Sequence, residues 1–298
     1  MLALFQSRDY QEITPPTFEY LDVFARGAGG ASLDHAYRFV DRTTGRMMLL
    51  RPDVTPQVAR MAATLLADRP RPLRLCYAAP VFRYEEEHLG REREIFQIGA
   101  EQIGEASAAA DLEILRLVID LLHALKITQF KIVLGQMEFT RGVLSGIASQ
   151  PDVFDAILRS VAKKETASLE ATLQSLKMTQ KQRLGVLSLL TLSGEEEVFR
   201  WAAPLSHGDA SCKGLDRLQE VYAALKKSGH SKNTLIDLGE VRGFDYYTGL
   251  VFEIFVEGIG MAVGGGGRYD HLLERFGTAE PAIGFAMDME RLQTASAH

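Results

Sequence analysis

Hydrophobic and polar residues alternate with a period of two in the first third of the chain and again after residue 233, which predicts β-strands. A polar, glycine-containing stretch at 41–46 separates two of these segments and predicts a hairpin. We therefore expect antiparallel β-structure at both ends of the chain. The predicted strands cover 11–14, 37–40, 47–50, 81–85, 96–101, 131–134 and 251–256, and a strand leads into a helix at 283–292.

Helical spacing of apolar residues appears at 55–66 and 111–125, and it dominates the chain from 139 to 232. Strand signals vanish in that middle region, where 153–163, 167–176, 180–192 and 215–227 carry charged outer faces. We interpret 139–232 as a helical insertion domain that divides a β-rich domain into 1–138 and 233–298. The plan is α+β, since strands and helices do not alternate along the chain.

Composition narrows the class of protein. The 298 residues are 46% hydrophobic and 24% charged, which is typical of a globular chain, and no apolar run approaches the ~20 residues of a membrane span. We therefore expect a cytoplasmic location. A net charge of -6 disfavours nucleic acid as a partner. Cys76 and Cys212 lie far apart with no ligand-spaced Cys or His, so we expect no disulfide, no metal and no cofactor.

The segment 238–255 places an arginine and two adjacent tyrosines at the start of a strand. Arg242 can bind a carboxylate through two parallel hydrogen bonds, Asp245 can orient it, and Tyr246 or Tyr247 offers a flat wall with a hydroxyl. The pattern suits a small zwitterion. A surface arginine that caps a turn before an ordinary strand remains the alternative.

A second candidate lies on the hairpin formed by 81–85 and 96–101. Alternation places Arg83 on one strand, and Gln97, Gly99 and Glu101 on the next, on faces that can meet. Gly99 leaves a gap in which we expect a ligand to touch Arg83, Gln97 and Glu101 together. A solvated sheet face with cross-strand ion pairs remains the alternative. The glycine run 264–267 lacks the Gly-Lys-Ser/Thr of a phosphate loop, so we expect it to allow a close backbone approach.

These segments, in this order, resemble the catalytic domain of histidyl-tRNA synthetases over nearly the whole chain. The resemblance implies a class II aminoacyl-tRNA synthetase-like antiparallel six-stranded sheet with flanking helices, an α-helical insertion, a homodimer and a histidine pocket. The motifs that carry it are LRPDVT at 50–55, VFRYE at 81–85, GREREIFQIGAEQIG at 90–104, VRGFDYYTGLVFE at 241–253, GGGGRYD at 264–270 and IGFAMDMERL at 283–292.

The resemblance also assigns expected roles to residues of the pocket. Asp53, one methylene shorter than the family's usual glutamate, would hold the amino group of histidine together with Thr55 and Gln97. Glu101 and Tyr247 would face the imidazole, Tyr246 would line the site, and Arg242 would bind the carboxylate. We count Arg83 with these histidine-binding residues because of its strand position. Arg83, Arg91 and Arg291 also match positions that touch ATP phosphates or the adenylate in the family, and we interpret Arg91 and Arg291 as vestigial.

Three departures from the synthetase pattern change the expected function. The sequence ends seven residues after Arg291, which leaves no room for the anticodon-binding domain that synthetases need. Three consecutive carboxylates at 85–87 would repel phosphate, and Asp288 replaces a glycine usual in synthetases. We expect no catalytic residues.

The departures make the chain similar to the regulatory subunits of ATP phosphoribosyltransferase. That family implies a non-catalytic protein that assembles with a short-form catalytic subunit into a hetero-octamer and binds L-histidine as an effector, without tRNA. Two alternatives stay open: a histidyl adenylate-forming ligase, and an interaction module with an empty pocket. Histidine could act at the Arg242 pocket or at a subunit junction.

Overall fold

The computed structural model describes residues 1–27, 33–84, 92–145, 147, 151–240 and 246–296, without the side chain of Pro151. Contacts within the chain divide it into two compact units. The first unit comprises Met1–Gln129, Gly243–Tyr247 and Val256–His298, and the second comprises Phe130–Arg242 and Thr248–Phe255. The second unit contains strands as well as helices, and the predicted insertion boundaries at 139–232 stay a prediction.

Strands of the described residues are labelled in chain order. They are β1 (Gln11–Glu12), β2 (Phe18–Tyr20), β3 (Arg38–Val40), β4 (Met47–Leu50), β5 (Leu73–Phe82), β6 (Glu94–Ile103), β7 (Phe130–Gln136), β8 (Ser193–Gly194), β9 (Thr234–Asp237), β10 (Leu250–Val256), β11 (Gly264–Arg268) and β12 (Ala282–Asp288).

The α-helices are labelled in the same way. They are α1 (Leu2–Gln6), α2 (Leu21–Gly27), α3 (Thr55–Ala63), α4 (Ala108–Ala124), α5 (Met137–Leu144), α6 (Pro151–Ala162), α7 (Thr166–Gln174), α8 (Gln180–Ser188), α9 (Glu197–Ala202), α10 (Asp209–Lys227) and α11 (Met289–Ser296).

The main sheet of the first unit has the strand order β1-β5-β6-β12-β11. β5, β6, β12 and β11 pair antiparallel, as predicted, whereas β1 adds to the edge in parallel with β5. The predicted hairpin around 41–46 is confirmed in a smaller sheet, where β3 pairs antiparallel with β4. The long pairing of β5 with β6 over ten residues each is the frame on which the candidate site is built.

The helix α4 packs on β6 and β12, and its apolar stripe is buried. It begins three residues before the predicted start at 111, directly after Ser107, whose backbone is extended. Asp111, in its first turn, is fully buried and accepts two hydrogen bonds from Arg268 at 2.6 and 2.9 Å. This buried ion pair joins α4 to the end of β11, so Arg268 has a structural role in the motif after the glycine run.

The glycine run itself forms most of β11, which pairs antiparallel with β12. A Cβ at Gly264 would lie 2.6 Å from the carbonyl oxygen of Ala286 and 2.8 Å from the Cα of Met287. The expected close backbone approach is therefore confirmed at Gly264, and the neighbour is β12. A side chain at this position would push the two strands apart.

The second unit contains β10, β7, β9 and β8 in that order, with β7 parallel to β9. The four helices predicted in the middle of the chain are confirmed as α6, α7, α8 and α10, with α10 starting six residues earlier than expected. The expectation that this region lacks strands is wrong in one place, because Ser193 and Gly194 pair with β9 as β8. Two residues are too few for an alternating pattern to appear in the sequence.

Within the described residues, none of the helices is both long enough and apolar enough to cross a membrane.

Candidate functional site

The register of β5 against β6 places the predicted polar residues of the hairpin on one face. Tyr77 lies opposite Gly99, Leu75 opposite Glu101, and Ala79 opposite Gln97. Residues directly opposite each other in an antiparallel pair point to the same side of the sheet. Gln97, Gly99 and Glu101 therefore share one face, as the alternation predicted. This face is buried rather than solvated.

The expected gap at Gly99 is not open to a ligand. A Cβ at Gly99 would overlap the Cζ and hydroxyl of Tyr77, whose ring lies across the glycine from the opposite strand. The missing side chain thus makes room for a phenol ring. The expectation of an open gap was wrong, because the pairing partner of Gly99 cannot be known before the register of the two strands is known. Contact of a ligand with Arg83, Gln97 and Glu101 stays a prediction.

Glu101 lies at the centre of the buried face and accepts hydrogen bonds from three hydroxyl groups. Thr55 Oγ1 donates to Oε1 at 2.8 Å, Tyr77 donates to the same oxygen at 3.4 Å, and Tyr269 donates to Oε2 at 2.5 Å. Gly284 of β12 lies opposite Glu101, and a Cβ there would overlap the carboxyl group. Glycine at 284 therefore creates the space that Glu101 occupies.

Burial controls the protonation of this cluster. Removal from water raises the pKa of Glu101 to about 8, and the nearby Asp53 carboxyl contributes in the same direction. The hydroxyl donors lower that pKa but do not offset burial. Burial also raises the pKa values of Tyr77 and Tyr269 well above the usual value, with Glu101 as the second cause, so both phenols stay protonated and can donate.

Asp53 supplies a second buried carboxyl group just before α3. Its Oδ1 accepts the backbone N–H of Thr55 at 3.2 Å, and its Oδ2 accepts the hydroxyl of Tyr246 at 2.7 Å. Asp53 thus provides an acceptor for the first backbone N–H of α3. Thr55 joins the two carboxyl groups, because its backbone bonds Asp53 and its hydroxyl bonds Glu101.

Three tyrosine rings wall the two carboxyl groups. The ring centroids of Tyr246 and Tyr247 are 4.8 Å apart, and the ring of Tyr246 meets that of Tyr269 edge-on at 5.9 Å. All three side chains are at least nine-tenths buried. Aromatic rings of this kind present an apolar surface with a hydroxyl at its edge, which suits a flat, polar ligand ring.

Gln97 contributes a polar group that is buried without a partner. Its side chain is 8% exposed, and Oε1 has no hydrogen-bond partner among the described residues. A buried amide oxygen left in this state costs about 1–3 kcal/mol. The carbonyl oxygen is therefore available to accept a hydrogen bond from a ligand that reaches this face of β6.

Two predicted arginines lie against backbone carbonyls. Arg83 follows the end of β5, and its Nε donates to the carbonyl of Pro52 at 2.9 Å, beside Asp53. Arg291 lies in α11, where its Nη1 donates to Ala262 O at 2.7 Å and its Nε lies 3.0 Å from Asp288 Oδ2. Asp288 also accepts the backbone N–H groups of residues 290 and 291, so it caps α11.

Several predicted residues lie outside the described residues: Arg91, Arg242, Asp245 and the acidic stretch 85–87. Their assignments stay predictions. The structure brings together Asp53, Thr55, Gln97, Glu101, Tyr246 and Tyr247 in or beside the buried cluster. Their roles in binding histidine stay predictions as well.

Two residues of the cluster were missed by sequence reasoning. Tyr77 was not singled out. Its one signal in the sequence is its position in the alternating pattern of β5. Tyr269 stands two residues after the glycine run, and no role was predicted for its side chain. Both donate to Glu101, and both reach it from other strands or loops, so only long-range pairing reveals them.

Comparison with known proteins gives this arrangement a family. The sequence model of the histidyl-tRNA synthetase family matches residues 1–292. The ATP phosphoribosyltransferase regulatory subunit of Syntrophotalea carbinolica is 39% identical over 292 residues, which cover 98% of this chain and 68% of the relative. The protein of the same name from Moorella thermoacetica is 41% identical over 295 residues, which cover 99% of this chain and 76% of the relative. This chain belongs to the family of ATP phosphoribosyltransferase regulatory subunits, which are histidyl-tRNA synthetase-like proteins.

A solved structure supports the same family at the level of the fold. It is described as an ATP phosphoribosyltransferase regulatory subunit/histidyl-tRNA synthetase from Bacillus halodurans, with a TM-score of 0.89 and 29% sequence identity, covering 99% of this chain and 76% of that one. The predicted α+β, class II synthetase-like fold is thereby confirmed. The expected antiparallel sheet is corrected in one respect: the parallel pair β1–β5 makes the main sheet of the first unit mixed, and the second unit has a parallel pair of its own, β7–β9.

Proposed function

We propose that this protein is the regulatory subunit of an ATP phosphoribosyltransferase complex, which performs the first step of L-histidine biosynthesis in the cytoplasm. It activates a short-form catalytic subunit, itself lacks catalytic activity, and transmits feedback inhibition when L-histidine binds. The complex is a hetero-octamer built on a homodimer of this chain, and tRNA is not a ligand. The supporting observation is the family membership together with a buried cluster suited to an amino acid.

The chemistry of the cluster supports histidine as the ligand. Asp53 and Glu101 are buried carboxyl groups that, within the described part of the chain, pair with hydroxyl and amide donors rather than with a cation. An α-ammonium group beside Asp53 and an imidazole beside Glu101 would supply positive or donor groups at both places. Gln97 Oε1 would accept a third hydrogen bond. Tyr246 and Tyr247 would enclose the ring.

A regulatory role requires that histidine bind one state of the complex more tightly than another, because a ligand shifts an equilibrium only by its differential affinity. Tyr246 is a suitable residue to differ in position between the two states. It donates its hydroxyl hydrogen to Asp53 and lies four residues after Arg242, the predicted carboxylate ligand.

The ATP phosphoribosyltransferase reaction tests this proposal directly. We expect the short-form catalytic subunit of the same organism to be inactive alone, active with this protein, and inhibited by added L-histidine. Asp53→Asn, which removes the predicted partner of the ammonium group, should raise the histidine concentration for half-inhibition roughly 10–100-fold. Glu94→Gln removes an exposed carboxylate from β6 and should leave activation and inhibition unchanged.

Failure to activate the catalytic subunit would contradict the proposal. Incubation with histidine, ATP and labelled pyrophosphate addresses the alternative, a histidyl adenylate-forming ligase. Exchange of pyrophosphate above background would favour the ligase. The geometry around Arg291 argues against it, because that guanidinium is already engaged by Asp288 and by the carbonyl of Ala262.

A further inference from the structure

Glu101 combines three features that do not usually occur together. It is 1% exposed, it accepts three hydroxyl hydrogen bonds, and no Lys, Arg or His of the described residues pairs with it. An isolated buried carboxylate is strongly disfavoured, because neutral hydroxyl donors replace water only in part. A second carboxyl group, that of Asp53, is bonded through the same Thr55.

We propose that Glu101 and the imidazole of bound histidine share a single proton. The Glu101 carboxyl group supplies this proton when histidine binds. The inference rests on the proposed function, since it assumes that histidine binds in this cluster with its ring beside Glu101. In the empty site the proton resides on the Glu101 carboxyl group. In the occupied site it lies between the carboxyl oxygen and a ring nitrogen.

The surroundings of Glu101 favour this shared proton. The hydroxyl groups of Thr55, Tyr77 and Tyr269 donate to the carboxyl oxygens, so they stabilise negative charge there once the ring accepts the proton. β12 presents Gly284, without a side chain, and β6 itself presents Gln97 on the same face. Among the described residues, the titratable groups around Glu101 include Asp53 before α3, Tyr77 on β5, Tyr269 after β11, Tyr246 and Tyr247, and Tyr10 after α1 also interacts with it electrostatically.

The proton count predicts how the affinity depends on pH. The pKa of Glu101 in the empty site is about 8, whereas that of a free imidazole is about 6.5. Between about pH 6.5 and pH 8 the empty site already carries the proton, so binding neither takes up nor releases a proton. Above pH 8 binding takes up one proton, and below about 6.5 it releases one. The histidine affinity should therefore be highest between pH 6.5 and 8 and fall by up to about tenfold per pH unit outside that window.

Isothermal titration calorimetry of the whole protein with L-histidine measures this proton count, when each pH is repeated in buffers of different ionisation enthalpy. We expect no net uptake at pH 7.2 and uptake approaching one proton at pH 9. The α-amino group of histidine also loses its proton at high pH. Glu101→Gln measures the proton uptake by the α-amino group alone, because glutamine cannot titrate. Glu94→Gln should behave as the wild type.

A second ligand keeps the test independent of whether Glu101→Gln folds. β-(Pyrazol-1-yl)alanine has the shape of histidine, but its ring accepts a proton only weakly. It should bind the wild-type protein roughly tenfold or more weakly than histidine at pH 7.2, because the charge-assisted hydrogen bond to Glu101 is lost.

The possible outcomes separate the two proposals. Histidine binding with equal proton uptake at pH 9 in the wild type and in Glu101→Gln would overturn the shared proton and leave the histidine site intact. Equal affinity for histidine and the pyrazole analogue would do the same. Absence of histidine binding at every pH would overturn both the shared proton and the proposed effector site.

Discussion

Glu101 illustrates how much of a residue's chemistry depends on its neighbours rather than on its type. On the exposed sheet face that remained an alternative, a glutamate would be ionised and paired with a cross-strand arginine. Here Gly284 leaves room beside it, Tyr77 covers it across Gly99, and Tyr269 bonds its second oxygen. The result is a buried acid whose pKa lies near 8.

The raised pKa of Glu101 predicts a pH-dependent stability. From about pH 4.5, where an unfolded glutamate loses its proton, up to about pH 8, the folded protein keeps a proton that the unfolded chain has lost. Stability should therefore fall as the pH rises through that window, by about 1.4 kcal/mol per pH unit for this one group. Glu101→Gln should lack this contribution.

Urea unfolding of both proteins at pH 5, 6, 7 and 8 measures the difference, and the contributions of other titrating groups cancel in the comparison. Glu94→Gln serves as the control and should follow the wild type. A constant difference between Glu101→Gln and the wild type across these pH values would show that Glu101 ionises normally.

At the scale of elements, the site depends on strands that approach closely because glycines replace side chains. β12 contributes Gly284 beneath Glu101, and β6 contributes Gly99 beneath Tyr77. Both glycines lie in extended strands, so the requirement is for space rather than for an unusual backbone conformation. Alternation in the sequence located both strands, but the size of the neighbouring side chain became evident only with the register.

Gly284→Ala should therefore destabilise the protein by about 1–3 kcal/mol, because the new methyl group overlaps the Glu101 carboxyl group. It should also weaken histidine binding, since Glu101 must move from its hydroxyl donors. Gly260→Ala is the matched control: nothing lies within 4 Å of a Cβ there, and we expect a change within about 0.5 kcal/mol. Chemical denaturation and calorimetry measure the two effects, and equal behaviour of the two variants would contradict the packing argument.

At the scale of the whole molecule, the proposed function depends on assembly as well as on the pocket. Family membership supports the partner, and the buried cluster supports the effector. These two parts of the proposal can fail separately.

Light scattering of the purified proteins tests the assembly. We expect a homodimer of 33.0 kDa chains for this protein alone and a hetero-octamer when the short-form catalytic subunit is added. Asp53→Asn and Glu94→Gln should both assemble as the wild type does, because the first is buried and the second is a single surface charge. An unchanged mass after mixing would contradict the proposed partner.

The sequence by itself determined the family and most of the secondary structure, because motif identity and apolar periodicity are local properties of the chain. It also placed Gln97, Gly99 and Glu101 on one face of a strand, and the family resemblance marked Asp53 as a ligand candidate. Only the tertiary structure decided that the face is buried, that Tyr77 covers Gly99, and that Tyr269 and Thr55 bond Glu101. These contacts join residues far apart in the sequence, and they depend on which residues of neighbouring strands lie opposite each other and on how deeply those residues are buried.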